Sequence, residues 1–179
     1  MAQMTGQHDL SRSTLETAFR ALDARLEEPV TLVVGGGTAM MLAHGIPVRT
    51  RDVDAYTARG HLDDIAPILR DVAREVGLSS DWLNPLFEAF THVLPADYGS
   101  RLKEFFSGRR LRVMALGAED LLVMKCFAGR EKDVGHARAL LRRKPDLALV
   151  DRRIQELIEK GVKGAREAGD FLDDLGAGS

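Results

Sequence analysis

The sequence predicts a small α/β or α+β sheet domain whose C-terminal half is helical. Three observations predict it. Val30–Val34 (VTLVV) is short, rich in β-branched residues and closed by Gly35-Gly36-Gly37, the pattern of a buried strand ending in a tight turn. Thr50–Thr57 has period-two character, with Val53 and Ala55 on one face and Asp52, Asp54 and Tyr56 on the other. From Ala118 onward the apolar residues recur at helical spacing through successive segments.

The elements follow in chain order. Leu15, Phe19, Leu22 and Leu26 mark a first helix, with Ser13 as its expected N-cap and Pro29 just beyond its end. The strand at 30–34 and its glycine turn lead into a short helix, Thr38–His44, stopped by Gly45. The second strand, 50–57, precedes a helix over His61–Val76 that Gly77 terminates. Residues 82–106 carry no clear period. Leu111–Leu116 reads as a third strand, and Ala118–Gly129, Asp133–Arg143, Val150–Gly161 and Ala165–Leu175 read as helices, the last with a frayed Gly-Ala-Gly-Ser end. A single domain is expected over 1–179, with a sheet core over about 11–116 and C-terminal helices over 117–175 packed on it.

Composition narrows the function classes. With 25 Lys+Arg against 27 Asp+Glu the net charge is −2, so the surface as a whole is not a counterion for nucleic acid, although a local basic patch remains compatible with it. The single cysteine, Cys126, has no intrachain partner and reads as a small buried apolar residue. The start MAQMTGQHDLSRS has neither a basic nor an apolar signal region, so the cytoplasm is the expected compartment. The longest nearly apolar run, Thr31–Ala43, falls short of the ~18 to 20 residues that a bilayer span needs.

The glycine turn is the first candidate for chemistry. A Walker loop would need Gly-Lys-Ser/Thr, and a dinucleotide fingerprint would need glycine where Met40 stands. What remains is Gly35-Gly36-Gly37-Thr38 at a strand-to-helix junction, where backbone N–H groups and the Thr38 hydroxyl can approach phosphate; a tight turn packed on the sheet explains the same residues equally well. Asp52 and Asp54 share a strand face, within reach of one hard cation such as magnesium. The plain alternative is a solvated strand end bearing two acids. Lys125 lies on the apolar stripe of Ala118, Leu121, Leu122 and Ala128, where a lysine either snorkels or meets a negative partner. His44 is expected to meet helix-end carbonyls, and His136 to sit on a helix surface or cap. Arg109, Arg110 and Arg112, with Arg138, Arg142, Arg143 and Lys144, read as solvated charges or as a phosphate track.

Taken together, VVGGGTAMMLAHGIPVRTRDVDAY resembles the signature of the nucleotidyltransferase fold, a glycine pair with Ser/Thr before an Asp-x-Asp on the next strand. Gly36, Gly37, Thr38, Asp52 and Asp54 take those positions. Arg49–Asp54 is similar to a run found in the branch containing the AbiEii-type toxins, and ALGAEDLLVMKCFAGREKDVGHARALL resembles the helical signature of that branch through Lys125, Arg130 and Asp133. Two positions depart from the pattern. Leu111–Leu116 holds no third carboxylate, and His136 stands where the branch often has a second acid.

The resemblance implies a mixed sheet with flanking helices and a magnesium-dependent transfer of a nucleotide from an NTP to an acceptor hydroxyl. Asp52 and Asp54 are then the metal ligands, while Gly36, Gly37 and Thr38 hold phosphate. Lys125 neutralises triphosphate charge, and Asp133 positions Lys125 or helps deprotonate the acceptor. It further implies an RNA acceptor such as a tRNA end, a toxin-like role and an antitoxin or regulatory partner. A catalytically silent binding or regulatory protein, and an enzyme that nucleotidylates a small molecule such as an antibiotic, are the competing expectations.

Overall fold

The computed structural model describes residues 9–177; Gly178 and Ser179 of the expected frayed end lie outside them. Helix α1 (Arg12–Arg25) buries Leu15, Ala18, Phe19 and Leu22, the three- and four-residue spacing that puts one stripe against the sheet. Ser11, not Ser13, is its N-cap: the Ser11 Oγ accepts the Thr14 N–H at 3.1 Å, and the Ser13 hydroxyl turns to Ser11 instead.

Strand β1 (Val30–Val34) runs into α2 (Gly36–His44), which begins two residues earlier than expected, inside the glycine turn. Strand β2 covers Val53–Thr57, not 50–57. The reason is local: the hydroxyls of Thr38 and Thr50 both donate to the Asp52 carbonyl, at 2.9 and 2.8 Å, so that group is taken by side chains just ahead of the ladder. The expected helix over 61–76 is a 3-10 turn, Leu62–Ile65, followed by α3 (Ala66–Val76). Pro67 sits in the first turn of α3 and has no N–H with which to continue one uniform helix across the junction.

The unreadable stretch holds strand β3 (Leu83–Asn84), 3-10 segments over Leu86–Val93 and Tyr98–Arg101, and strand β4 (Lys103–Ser107). Strand β3 has only two residues, and β4 is irregular between Glu104 and Phe106, which spoils the period-two signal. Strand β5 (Leu111–Ala115) follows, then α4 (Ala118–Ala128), α5 (Glu131–Leu141), α6 (Leu147–Glu159) and α7 (Ala165–Ala177).

The sheet order is β3-β2-β1-β5-β4. Strand β1 is central, antiparallel to β2 and parallel to β5, with Val34 opposite Ala55 on one side and Ala115 on the other. This mixed sheet with a helical C-terminal half matches the expected class. Its register also gathers the ends of β1 and β5 and the start of β2 at one sheet edge, so the glycine turn and Asp52-Val53-Asp54 meet there.

Phe19 on α1 organises the apolar packing, its ring 6.0 Å from those of Trp82 and Phe105 and 6.1 Å from Phe106; such pairs add about 0.5 to 1.5 kcal/mol each beyond burial. The Asp23 carboxylate, also on α1, accepts the N–H groups of Arg109, Arg110 and Leu111 and so pins the β4–β5 turn to the helix. Helix α4 packs on α5, α6 and α7. Among the described residues no helix is long and apolar enough to cross a membrane.

Candidate active site

The site is built where β1 ends. The Gly35 N–H donates to the Asp54 carbonyl at 2.9 Å, which ties the glycine turn to β2. Gly36 adopts a left-handed φ of +57°, and a Cβ there would lie 2.4 Å from the Asp54 Oδ2, so any side chain would both strain the backbone and strike the carboxylate. A Cβ on Gly37 would meet only ordinary contacts, Thr50 and Val48 at 3.4 Å. No side chain caps α2, and the Asp54 carboxylate lies beside Gly36 at its first residue. Thr38 is buried and its hydroxyl is engaged with the Asp52 carbonyl.

Asp52 and Asp54 are both half-buried. Burial, and then the like charge of Asp52, push the Asp54 carboxyl above the usual carboxylate range; Lys125, Asn84 and Arg130 act in the opposite direction. Asn84 stands on the adjoining strand in register with Asp54, and its Nδ2 donates to Asp52 Oδ2 at 2.9 Å. The structure therefore brings Gly36, Asp52 and Asp54 together and sets the charge of Lys125 within reach of Asp54.

Lys125 is buried on α4, and its ammonium does not snorkel: Nζ donates to Asp133 Oδ1 at 2.7 Å. Gly129, left-handed at φ +56°, ends α4 and turns the chain so that Asp133, in the first turn of α5, folds back over Lys125. Arg130 completes the knot, its Nε 2.7 Å from Asp133 Oδ2. Burial alone would push the fully buried Asp133 upward, but the hydrogen bonds from Arg130 and Lys125 outweigh it and hold the carboxyl below the usual range. His136 is half-buried against this knot, not on an open surface, with Nδ1 4.0 Å from Asp133 Oδ1 and no hydrogen-bond partner for that nitrogen among the described residues.

His44 bonds the Leu116 carbonyl at 2.9 Å through Nε2, not the end of its own helix, because α2 lays it across the outlet of β5. Cys126 is buried, and burial pushes its thiol up to about 12. Of the arginines, Arg112 pairs with Glu104 and Arg110 reaches the Leu26 carbonyl, while Arg138, Arg142, Arg143 and Lys144 are exposed. Arg143 and Lys144 line a cavity of about 500 Å³ with His44, Arg101, Lys103 and Glu119; neither carboxylate of the β2 pair lines it.

Sequence reasoning missed three features, and all involve the unreadable middle. One is Asn84. Another is the buried Asp120, which receives a two-pronged contact from Arg101 through Nε at 2.9 Å and Nη2 at 2.8 Å. The third joins the Tyr56 and Tyr98 hydroxyls, with the Tyr56 ring against Phe87. No spacing rule links partners so far apart in the chain; Asn84-Pro85, a turn dipeptide after two apolar residues, was the one local signal.

Among the described residues no group of three or more His, Cys, Asp and Glu side chains is arranged to hold a metal ion. The fit of a single hard cation at Asp52 and Asp54 is chemical: two carboxylates on alternate residues supply the oxygen donors, and their mutual repulsion at Asp54 is what a cation relieves. A family model described as a nucleotidyltransferase of unknown function (DUF6036) matches residues 13–172. No curated protein and no solved structure matches the chain.

Proposed function

The chain belongs to this nucleotidyltransferase family, and from that premise we propose that it is a magnesium-dependent enzyme that moves a nucleotide from an NTP to an acceptor hydroxyl. One observation carries the reading: two half-buried carboxylates on alternate residues lie against the uncapped start of a helix, with a buried lysine acting on one of them.

Asp52 and Asp54 would hold the cation, which would supply positive charge against the phosphates. The N–H groups at the start of α2 meet phosphate oxygens, and Gly36 keeps that approach open. Thr38 and Thr50 fix the backbone of Asp52 through its carbonyl, so the role of Thr38 is to orient the site. Lys125 supplies positive charge beside Asp54. Asp133, fully buried and held ionised by two cations, is a poor proton acceptor and positions Lys125. In the transfer the acceptor hydroxyl gives up its proton to solvent as its oxygen bonds to the α-phosphorus, the bond from that phosphorus to the α,β-bridging oxygen breaks, and pyrophosphate departs.

The test is transfer of label from each α-labelled NTP to candidate acceptors with magnesium. The parent should label an acceptor, and Asp52→Asn and Asp54→Asn should not. Nucleotide binding without transfer to any acceptor would favour a silent binding or regulatory protein, and labelling of a small molecule would favour an antibiotic-type enzyme.

The finer reading is an AbiEii-like enzyme whose acceptor is RNA, such as a tRNA end, with a toxin role and an antitoxin partner. Its support is the exposed basic group at Arg138, Arg142, Arg143 and Lys144 at the end of α5 and just beyond. Replacing the three arginines by alanine should flatten the salt dependence of RNA binding by ~0.7 to 0.9 in slope per lost phosphate contact. An unchanged slope would remove RNA from the reading.

A further inference from the structure

We propose that Asn84 is the third member of the two-carboxylate site: a positioning residue that holds Asp52 in place and keeps the site at two negative charges, so that it takes one divalent cation. The inference rests on the reading of Asp52 and Asp54 as cation ligands.

The sheet supplies the placement. Strand β3 pairs in parallel with β2, and its register sets Val53 opposite Leu83 and Asp54 opposite Asn84. Asn84 therefore occupies the position on the adjoining strand that flanks the acids, a place where a third carboxylate would complete a cluster of three. The residue there is neutral.

The hydrogen bonds show what the amide does. Its Nδ2 donates to Asp52 Oδ2 at 2.9 Å, and its Oδ1 accepts the Leu86 N–H at 3.1 Å. Both ends are committed, and the orientation is not arbitrary. A flipped amide would set oxygen against the Asp52 carboxylate and NH₂ against the Leu86 N–H, losing both bonds. The Leu86 end is an Asx-turn that spans Pro85 and starts the following 3-10 segment, a purely structural duty that many asparagines perform. The Asp52 end is not explained by that duty. It fixes one carboxylate oxygen of Asp52 and places a neutral donor beside two acids on alternate residues at the start of the adjoining strand.

Aspartate at 84 separates the two duties, because it can still accept the Leu86 N–H but donates nothing to Asp52 and adds a charge. The experiment titrates Mn²⁺ alone into the full chain, followed by water proton relaxation, with thermal melts in the presence and absence of Mn²⁺. The parent should bind one ion. Asn84→Asp should melt lower than the parent without metal, recover on adding Mn²⁺, and bind the ion about tenfold more tightly, as a third oxygen charge predicts. Asn84→Ala should bind it about tenfold more weakly, the usual loss when a ligand's supporting hydrogen bond is removed.

Equal Mn²⁺ affinity for the parent and a folded Asn84→Asp would reduce Asn84 to its turn and overturn the proposal. Two ions bound by the parent would also overturn it. Asp52→Asn distinguishes this failure from that of the underlying reading. If Mn²⁺ binding by the parent is lost in Asp52→Asn while both Asn84 variants match the parent, the cation site stands and only the role of Asn84 falls. If the parent takes no Mn²⁺, both fall.

Discussion

The Asp54 carboxyl of β2 and the Asp133 carboxyl of α5 both feel the charge of Lys125, yet one is pushed above the ordinary carboxylate range and the other is held below it. Asp54 is only half-buried, yet it is pushed above the ordinary carboxylate range by desolvation and by Asp52 beside it. Asp133 is fully buried, which by itself pushes in the same direction, yet it is held below that range by Arg130 and Lys125. Burial pushes both acids upward, and the hydrogen bonds from Arg130 and Lys125 reverse the direction at Asp133. In the first region Lys125, Asn84 and Arg130 do not offset burial and the like charge of Asp52. The second balances itself inside the fold, the condition for holding a side chain still.

The comparison breaks most visibly if the two regions respond alike to losing an acid. Asp133→Ala should lower stability by about 3 to 5 kcal/mol in urea unfolding, because it leaves the Lys125 ammonium buried without its partner. Asp54→Asn should leave stability unchanged or raise it, because it removes a repelling charge, while Asp52→Asn and Asp54→Asn each weaken magnesium-dependent NTP binding by about 100-fold or more. Destabilisation of both Asp54→Asn and Asp133→Ala to a similar degree, measured side by side, would show that the β2 pair is structural.

Acid titration sharpens the same contrast through its sign. The folded pKa of Asp133 lies below its unfolded value, so its contribution is present above that unfolded value and is lost as pH falls through the folded one. The folded pKa of Asp54 lies above its unfolded value, so its ionisation costs stability at higher pH, and this cost disappears as pH falls from the raised value toward 3.8. Urea midpoints for Asp54→Asn should lack that acid-side gain, and those for Asp133→Asn should lack the acid-side loss. The smallest expected effect belongs to Arg130→Gln. Its side chain is 57% exposed, so solvent screens the pair and the cost should be about 1 kcal/mol or less in the same unfolding series. A larger loss would mean that Arg130, more than Lys125, sets the charge of Asp133.

Much of the site was legible because its parts are local. Gly36, Gly37 and Thr38 are consecutive, Asp52 and Asp54 alternate on one strand, and Lys125 reaches Asp133 across a single glycine corner. Strand alternation and helical spacing carry such arrangements in the chain itself, as the apolar stripe that includes Lys125 illustrates. The thresholds of the elements were less legible. Side-chain hydroxyls compete for the backbone at both Ser11 and Asp52, and a one-dimensional pattern does not say which hydroxyl wins.

By itself the sequence determined the central strands, the glycine turn, the paired acids and the helical second half, since each follows from short-range periodicity and backbone preference. The tertiary structure alone decided that Asn84 stands beside Asp54, that Asp120 is answered by Arg101, and that Tyr56 meets Tyr98. These contacts join residues 19 to 42 positions apart through sheet pairing and burial. Their strength depends on desolvation and on which partner the packing delivers, and neither quantity exists until the chain has folded.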